Sequence, residues 1–285
     1  VTRCRFSLPE GEQLVSEVLP LLREVASVTV DETVSSRIVT EKLTTTVTLD
    51  AVSGSIVAQV AFIYGKTRID PFSPPQERQE NVLLLRDAQA ERVVLDLLGR
   101  PGFKVRLKEA YLSGNDAIYN FLQDGVPLLQ SCAEVYCSEA LLRMRPRRSR
   151  PRGKLRMSPG GDLLQFELLL DGVDPSEYDG VLQALREKKK FVRLTDGSFI
   201  SLLPDDGWSE LAGYLDEVGE VKGGVVEMMR CRAVYLSQLM AASNLDIEQD
   251  KSVTDLARAV QHPDKGKAPI KGLRPYQQRG FAWLK

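Results

Sequence analysis

Residues 144–157 read MRPRRSRPRGKLRM, and no other stretch limits the fold as much. It holds seven basic side chains (Arg145, Arg147, Arg148, Arg150, Arg152, Lys154 and Arg156), two prolines and no acid. Proline removes a backbone donor and clashes with the preceding helical turn, and like charges at this density repel one another. A packed helix therefore does not run through the segment. It reads as a linker or an exposed strand edge, and it divides a chain of 285 residues into two parts of ordinary domain size.

Upstream, residues 1–142 read as one α+β unit. Leu14, Val15, Val18 and Leu22 stand at helical spacing, with Pro20 expected to kink or end the helix. Residues 27–32 read as a short strand. Residues 44–50 and 55–64 alternate about Ser53-Gly54, a favoured hairpin turn, with Ile56, Ala58, Val60 and Phe62 on one face. Residues 70–80 hold three prolines and read as a loop. Asp87 is placed to cap a helix to about Leu98, whose apolar face is Ala90, Val93, Val94 and Leu97. A strand over 104–107, a helix over 115–123 and a strand over 133–138 complete the unit.

Downstream, residues 158–262 read as a second α+β unit. Leu164, Phe166 and Leu168 alternate with Gln165 and Glu167, the mark of a half-buried strand. Asp174-Pro175-Ser176-Glu177 joins a capping residue, proline at the first helical position and an acid at the third. The helix it opens buries Tyr178, Val181, Leu182 and Leu185. Asp196-Gly197 predicts a hairpin between 191–194 and 198–203. Helices are expected from Trp208, over 225–242 and over 252–260. Residues 263–272 read as a linker.

Composition narrows the function. The chain is 43% hydrophobic and 27% charged, which is ordinary for a globular protein, and its net charge of −1 carries no global footprint for a polyanion. Any such footprint is local, and the 144–157 run is the strongest one. Arginines in an extended segment can track a phosphate backbone and release its counterions. Lys188-Lys189-Lys190 follows a predicted helix and reads as complementing the helix dipole. Cys4, Cys132, Cys137 and Cys231 form no CxxC pair and stand with a single histidine, His262, so no zinc site is expected. Free thiols in a reducing cytoplasm are the natural reading. No apolar run has the length of a membrane span. Gly65-Lys66-Thr67 has the tail of a phosphate-binding loop, but Val60 stands where that loop needs glycine. No catalytic constellation emerges, and an enzyme with an unrelated active site would need ligands gathered from distant residues.

The chain ends on LRPYQQRGFAWLK, residues 273–285. Pro275 suits a first helical turn, and the Gln277 amide offers one donor and one acceptor, a match for adenine N6 and N7. Tyr276 is suited to packing beside the base. The pattern Leu273-Arg274-Pro275-Tyr276-Gln277, then Gly280, Trp283 and Leu284, resembles the adenine-recognition motif that opens the ATPase core of Swi/Snf-type helicase-like proteins of superfamily 2. The resemblance implies that Gln277 reads adenine, with Arg274 and Tyr276 beside it. Less sharply, Leu85-Arg86-Asp87, Ala133-Glu134-Val135-Tyr136 and residues 184–199 resemble the accessory region preceding that core in bacterial members.

The resemblance implies a particular architecture. Accessory modules over 1–142 and 158–262 are joined by a basic linker at 143–157. A linker and the first helix of a truncated RecA-like lobe follow at 263–285. The whole protein is then expected to be a cytoplasmic, nucleoid-associated ATPase that translocates on double-stranded DNA, using ATP and magnesium. The phosphate-binding loop and metal-binding motif of such a core are not in these residues, so no catalytic residue is assigned. Expected partners are double-stranded DNA, through the seven basic residues, and the ATPase core of the same chain. The alternative is a protein-interaction or autoinhibitory module that makes no direct DNA contact.

Overall fold

The computed structural model describes residues 4–74, 82–158, 163–204, 207–218, 223–232, 235, 246–261 and 274–284. The fold is α+β with several mixed sheets, and it divides into two compact units, Val1–Pro146 and Arg147–Lys285.

The first unit is built on a six-stranded sheet. The strands of the unit, in chain order, are β1 (Ile38–Thr40), β2 (Leu43–Val52), β3 (Ser55–Tyr64), β4 (Thr67–Ile69), β5 (Leu83–Leu85), β6 (Lys104–Arg106), β7 (Glu109–Leu112) and β8 (Glu134–Cys137). The sheet order is β6-β7-β3-β2-β8, with β4 also paired to β3, while β1 and β5 form a separate parallel pair. The expected hairpin is its centre. Ser53 and Gly54 both lie at positive φ, the twist-matched turn, and β2 and β3 pair along their whole length. Ile56, Ala58, Val60 and Phe62 form a buried face.

Two helical stretches of this unit solve the same problem in the same way. The helical stretch from Leu8 to Val25 contains Pro20, and the stretch from Asn115 to Gln130 contains Pro127. Proline has no N–H for the carbonyl four residues back, and its ring clashes there. In each case a π turn, Leu14–Val18 or Phe121–Gly125, precedes the proline by one residue. Leu19 N–H donates to the Leu14 carbonyl and Val126 N–H to the Phe121 carbonyl, a five-residue step that lets the helix continue past the proline. Gly125 is required because a Cβ there would overlap the Phe121 ring, which stacks edge-on to Phe103 at 4.9 Å.

Two expectations for this unit fail. Residues 27–31 form no strand, and a short helix, Glu32–Ser35, follows with Asp31 accepting from Thr33 N–H. The Ala88–Gly99 helix is capped by Asp87 as expected, but its buried face is Glu91, Val94 and Leu98, and Val93 is exposed. The rotation brings a carboxylate inward. Glu91 accepts two hydrogen bonds from Arg86 and a 2.6 Å bond from the Tyr64 hydroxyl, which itself accepts from Asp87 N–H at 2.8 Å. Burial first, and then the bond to Glu91, push the Tyr64 phenol far above its ordinary range. This buried pair fixes Leu85-Arg86-Asp87 at the junction of β5 and the helix. Ser16 and Glu12 bind the backbone N–H groups of Arg86 and Leu84 and hold the N-terminal helices to the same strand.

The second unit contains β9 (Pro146–Arg148), β10 (Pro151–Met157), β11 (Leu163–Leu170), β12 (Phe191–Arg193), β13 (Phe199–Ser201), β14 (Val225–Met229) and β15 (Asp246–Gln249). Four of them form a sheet in the order β14-β11-β10-β15, and three more form β12-β13-β9. Leu164, Phe166 and Leu168 on β11, Leu155 on β10 and Val226 on β14 meet Val181, Leu185, Trp208 and Val253 from helices in one core. Complete burial of each such side chain is worth about 1.5–3 kcal/mol.

The cap at Asp174 forms as expected, accepting from Ser176 N–H at 2.9 Å, and a 3-10 turn leads into the Tyr178–Arg186 helix. That helix ends at Lys188, whose φ is +56°. The N–H of Lys188 bonds the Leu185 carbonyl and that of Lys189 bonds the Ala184 carbonyl, a Schellman closure with lysine where glycine is usual.

Two further readings are corrected. Residues 225–229 form strand β14 rather than a helix, because Val226 and Met228 alternate inward beside Phe166 and Leu164. Residues 236–245 lie outside the described residues, as does the stretch 263–272 read as a linker. The basic run is also no linker, because β9 and β10 occupy most of it and β10 is an inner strand. Pro146 and Pro151 each open a strand, where proline is tolerated.

Candidate nucleic-acid interface

Strand β10 alternates with a period of two. Pro151, Gly153 and Leu155 are buried, while Arg152, Lys154 and Arg156 stand on the opposite face. Gly153 is where the sheet packs most tightly, since a Cβ there would overlap the Phe166 ring. The outward face of β10 is thus cationic, but its neighbours are acidic. Register sets Lys154 beside Glu167 on β11 and Glu248 on β15, and Arg152 beside Asp246.

The cations meet those acids. Arg152 hydrogen-bonds Asp171, and Lys154 Nζ stands 3.4 Å from Glu248. Arg156 donates to Gln165 Oε1 at 3.2 Å and lies 3.7 Å from Glu167, and Gln165 in turn donates to Glu227 at 2.6 Å. Arg147 donates to Ser198 Oγ at 2.7 Å and reaches Asp196 at 3.4 Å. The Ser198 hydroxyl, aided by the Ser198 N–H and Arg147, holds the Asp196 carboxyl below its ordinary range. Each pair is exposed and individually worth about 0–1 kcal/mol. Together they pair four of the seven cations with acids.

The remaining three are different. Arg145 closes the Glu139–Met144 helix, Arg148 ends β9, and Arg150 lies between β9 and β10. All three are exposed, and among the described residues none has a hydrogen-bond or ion-pair partner from its side chain. Arg148 and Arg150 flank buried Ser149, whose hydroxyl donates to the Asp171 carbonyl and pins the connection to the sheet. Sequence reading missed the acids that divide the run, because Asp171, Asp196 and Glu248 are brought to it by pairing across the fold.

The tail forms the expected helix, Pro275–Leu284. Arg274, Tyr276 and Gln277 are exposed, and Gln277 Oε1 accepts from Arg274 N–H at 3.0 Å, so the amide caps its own helix. The amide nitrogen and a second lone pair on that oxygen stay available for a ligand. Lys189 pairs with Glu187 at 2.6 Å. Among the described residues, no group of three or more His, Cys, Asp or Glu side chains is placed to hold a metal ion, and no helix is long and apolar enough to cross a membrane.

Residues 2–270 match the family described as bacterial SNF2 helicase associated, and the chain belongs to that family. No curated protein and no solved structure matches it. The family places it as an accessory region of an SNF2-type helicase, with a helicase core as its natural companion in the same chain.

Proposed function

We propose that this chain modulates the engagement of double-stranded DNA by a Swi/Snf-type translocating ATPase. The observation that carries the proposal is the division of the basic run. Arg148 and Arg150 are unpaired among the described residues and sit on a pinned connection, whereas the paired cations beside them face acids. Unpaired guanidinium groups suit phosphate oxygens, which they bind bidentately. Arg145 belongs to the same unpaired class. In the companion core, ATP and magnesium supply the driving reaction, and Gln277 with Tyr276 and Arg274 contributes adenine recognition. This protein would work at the nucleoid.

Arginine-selective chemical modification read by mass spectrometry tests the proposal. Duplex DNA is expected to slow modification of Arg148 and Arg150 more than that of Arg152 and Arg156. Equal rates with and without DNA at Arg148 and Arg150 would refute it.

One observation favours a second reading, a module that packs on the motor core without touching DNA. Val18, Leu21, Leu22 and Val25 form a helical stripe that is exposed along its length, with Val25 at 82%. That reading predicts association with the core that is insensitive to salt.

A further inference from the structure

The β6–β7 hairpin of the first unit has a turn that its own stability does not explain. Arg106 pairs with Glu109, so Leu107 and Lys108 form a two-residue connection, at φ +49° and +72°. The β2–β3 hairpin in the same sheet makes this turn with Ser53-Gly54. Asn-Gly or another glycine-containing pair is what such a turn favours, and left-handed backbone is unfavourable for leucine and lysine. Leu107 is also 94% exposed, and Val105 is 53% exposed. Nothing in the packing rewards leucine there.

The charges around the tip are as unusual. Lys104, Arg106 and Lys108 are exposed, and among the described residues none makes a hydrogen bond or ion pair through its side chain. The acid on the hairpin, Glu109, is occupied by Tyr111 and Gln59, each at 2.6 Å. Along the same edge of β3 that carries β7, β4 adds exposed Arg68.

We infer that this hairpin is a second duplex-DNA contact, in which Lys104, Arg106 and Lys108 bind backbone phosphates and Leu107 enters a groove against base edges or a base step. Two-stranded ribbons fit the major groove, where an apolar side chain can contact the thymine methyl, and apolar wedges such as leucine are used between base steps from the minor groove. A single leucine with a half-exposed valine is too little apolar surface to hold a membrane, for which stable anchoring takes two strong signals. The inference shares with the proposed function the premise that the chain engages DNA, but it rests on different residues in a different unit.

The test uses the 285-residue chain, a short labelled duplex and fluorescence anisotropy across a salt series. The double variant L107N/K108G installs the favoured turn pair, so it is expected to melt no lower than the wild type and yet bind the duplex about threefold to tenfold more weakly. Its salt slope should fall by about 0.9, because one phosphate is no longer neutralised. L107N alone should weaken binding with the slope unchanged. Equal duplex affinity in wild type and L107N/K108G overturns the inference. So does tip-dependent binding to phosphatidylserine vesicles without tip-dependent binding to the duplex. The arm R148S/R150S separates the two claims. If it is silent while the tip variant loses affinity, the basic-run proposal falls and the hairpin stands; the reverse result removes the hairpin.

Discussion

Single residues show most clearly how this chain turns charge into structure. Glu91 is 5% exposed and survives as a buried acid because Arg86 and Tyr64 meet both of its oxygens. A buried pair contributes little when intact, but breaking one side leaves an uncompensated charge. Glu91→Ala is therefore expected to destabilise the first unit by about 3 kcal/mol, read as a shifted urea midpoint. Tryptic release of the N-terminal helices should rise with it, because Ser16 and Glu12 hold them to the strand that Arg86 extends. A loss below about 0.5 kcal/mol, the usual limit for surface changes, would show that Arg86 finds water instead. In the sequence this site was half visible. Asp87 announced the helix cap correctly, but a pattern of apolar residues alone placed Val93 inside and left Glu91 out. The partner that reverses the choice, Tyr64, lies far away in sequence.

At the scale of elements, local signals were legible where turn chemistry was explicit. Ser53-Gly54 and Asp174-Pro175 produced the expected turn and cap, because glycine and capping carboxylates act within a few residues. Asp196-Gly197 produced the expected hairpin, but its connection is longer than the two-residue turn expected, since Leu194 N–H bonds the Ser198 carbonyl. Two of the misreadings share a cause. Residues 225–229 and the basic run are strands whose period of two is visible only beside β11, and charge or apolar content masked it. The π turns were hidden for a different reason: a proline inside a helical pattern reads as an end, and here it is bypassed. Gly153 gives the inner position of β10 a direct test. Gly153→Ala drives a methyl into the Phe166 ring and is expected to cost about 1–3 kcal/mol as overpacking, measured by thermal or chemical unfolding. An unchanged midpoint would mean that β10 is not packed against β11 at that point.

At the scale of the whole molecule, near-neutral net charge conceals an uneven surface. Folding sorts the cations of 144–157 into those that stitch strands together and those that remain free. Family membership makes a helicase core the natural companion, and the proposed function gives the free cations duplex phosphates as their target. From sequence, the candidate interface was legible as a run of seven and illegible as a subset of three, because the acids that select the subset arrive from other strands. The measurement that tests this most directly is duplex binding over a salt series with two variants side by side. One is R145S/R148S/R150S, which removes unpaired cations, and the other is R152S/K154S/R156S, which removes paired ones. The account predicts that the first flattens the salt slope by about 0.9 for each phosphate it no longer neutralises, without lowering the melting temperature. The second should keep the slope and lose thermal stability. Equal effects on the slope, or a larger effect from the paired set, would contradict it.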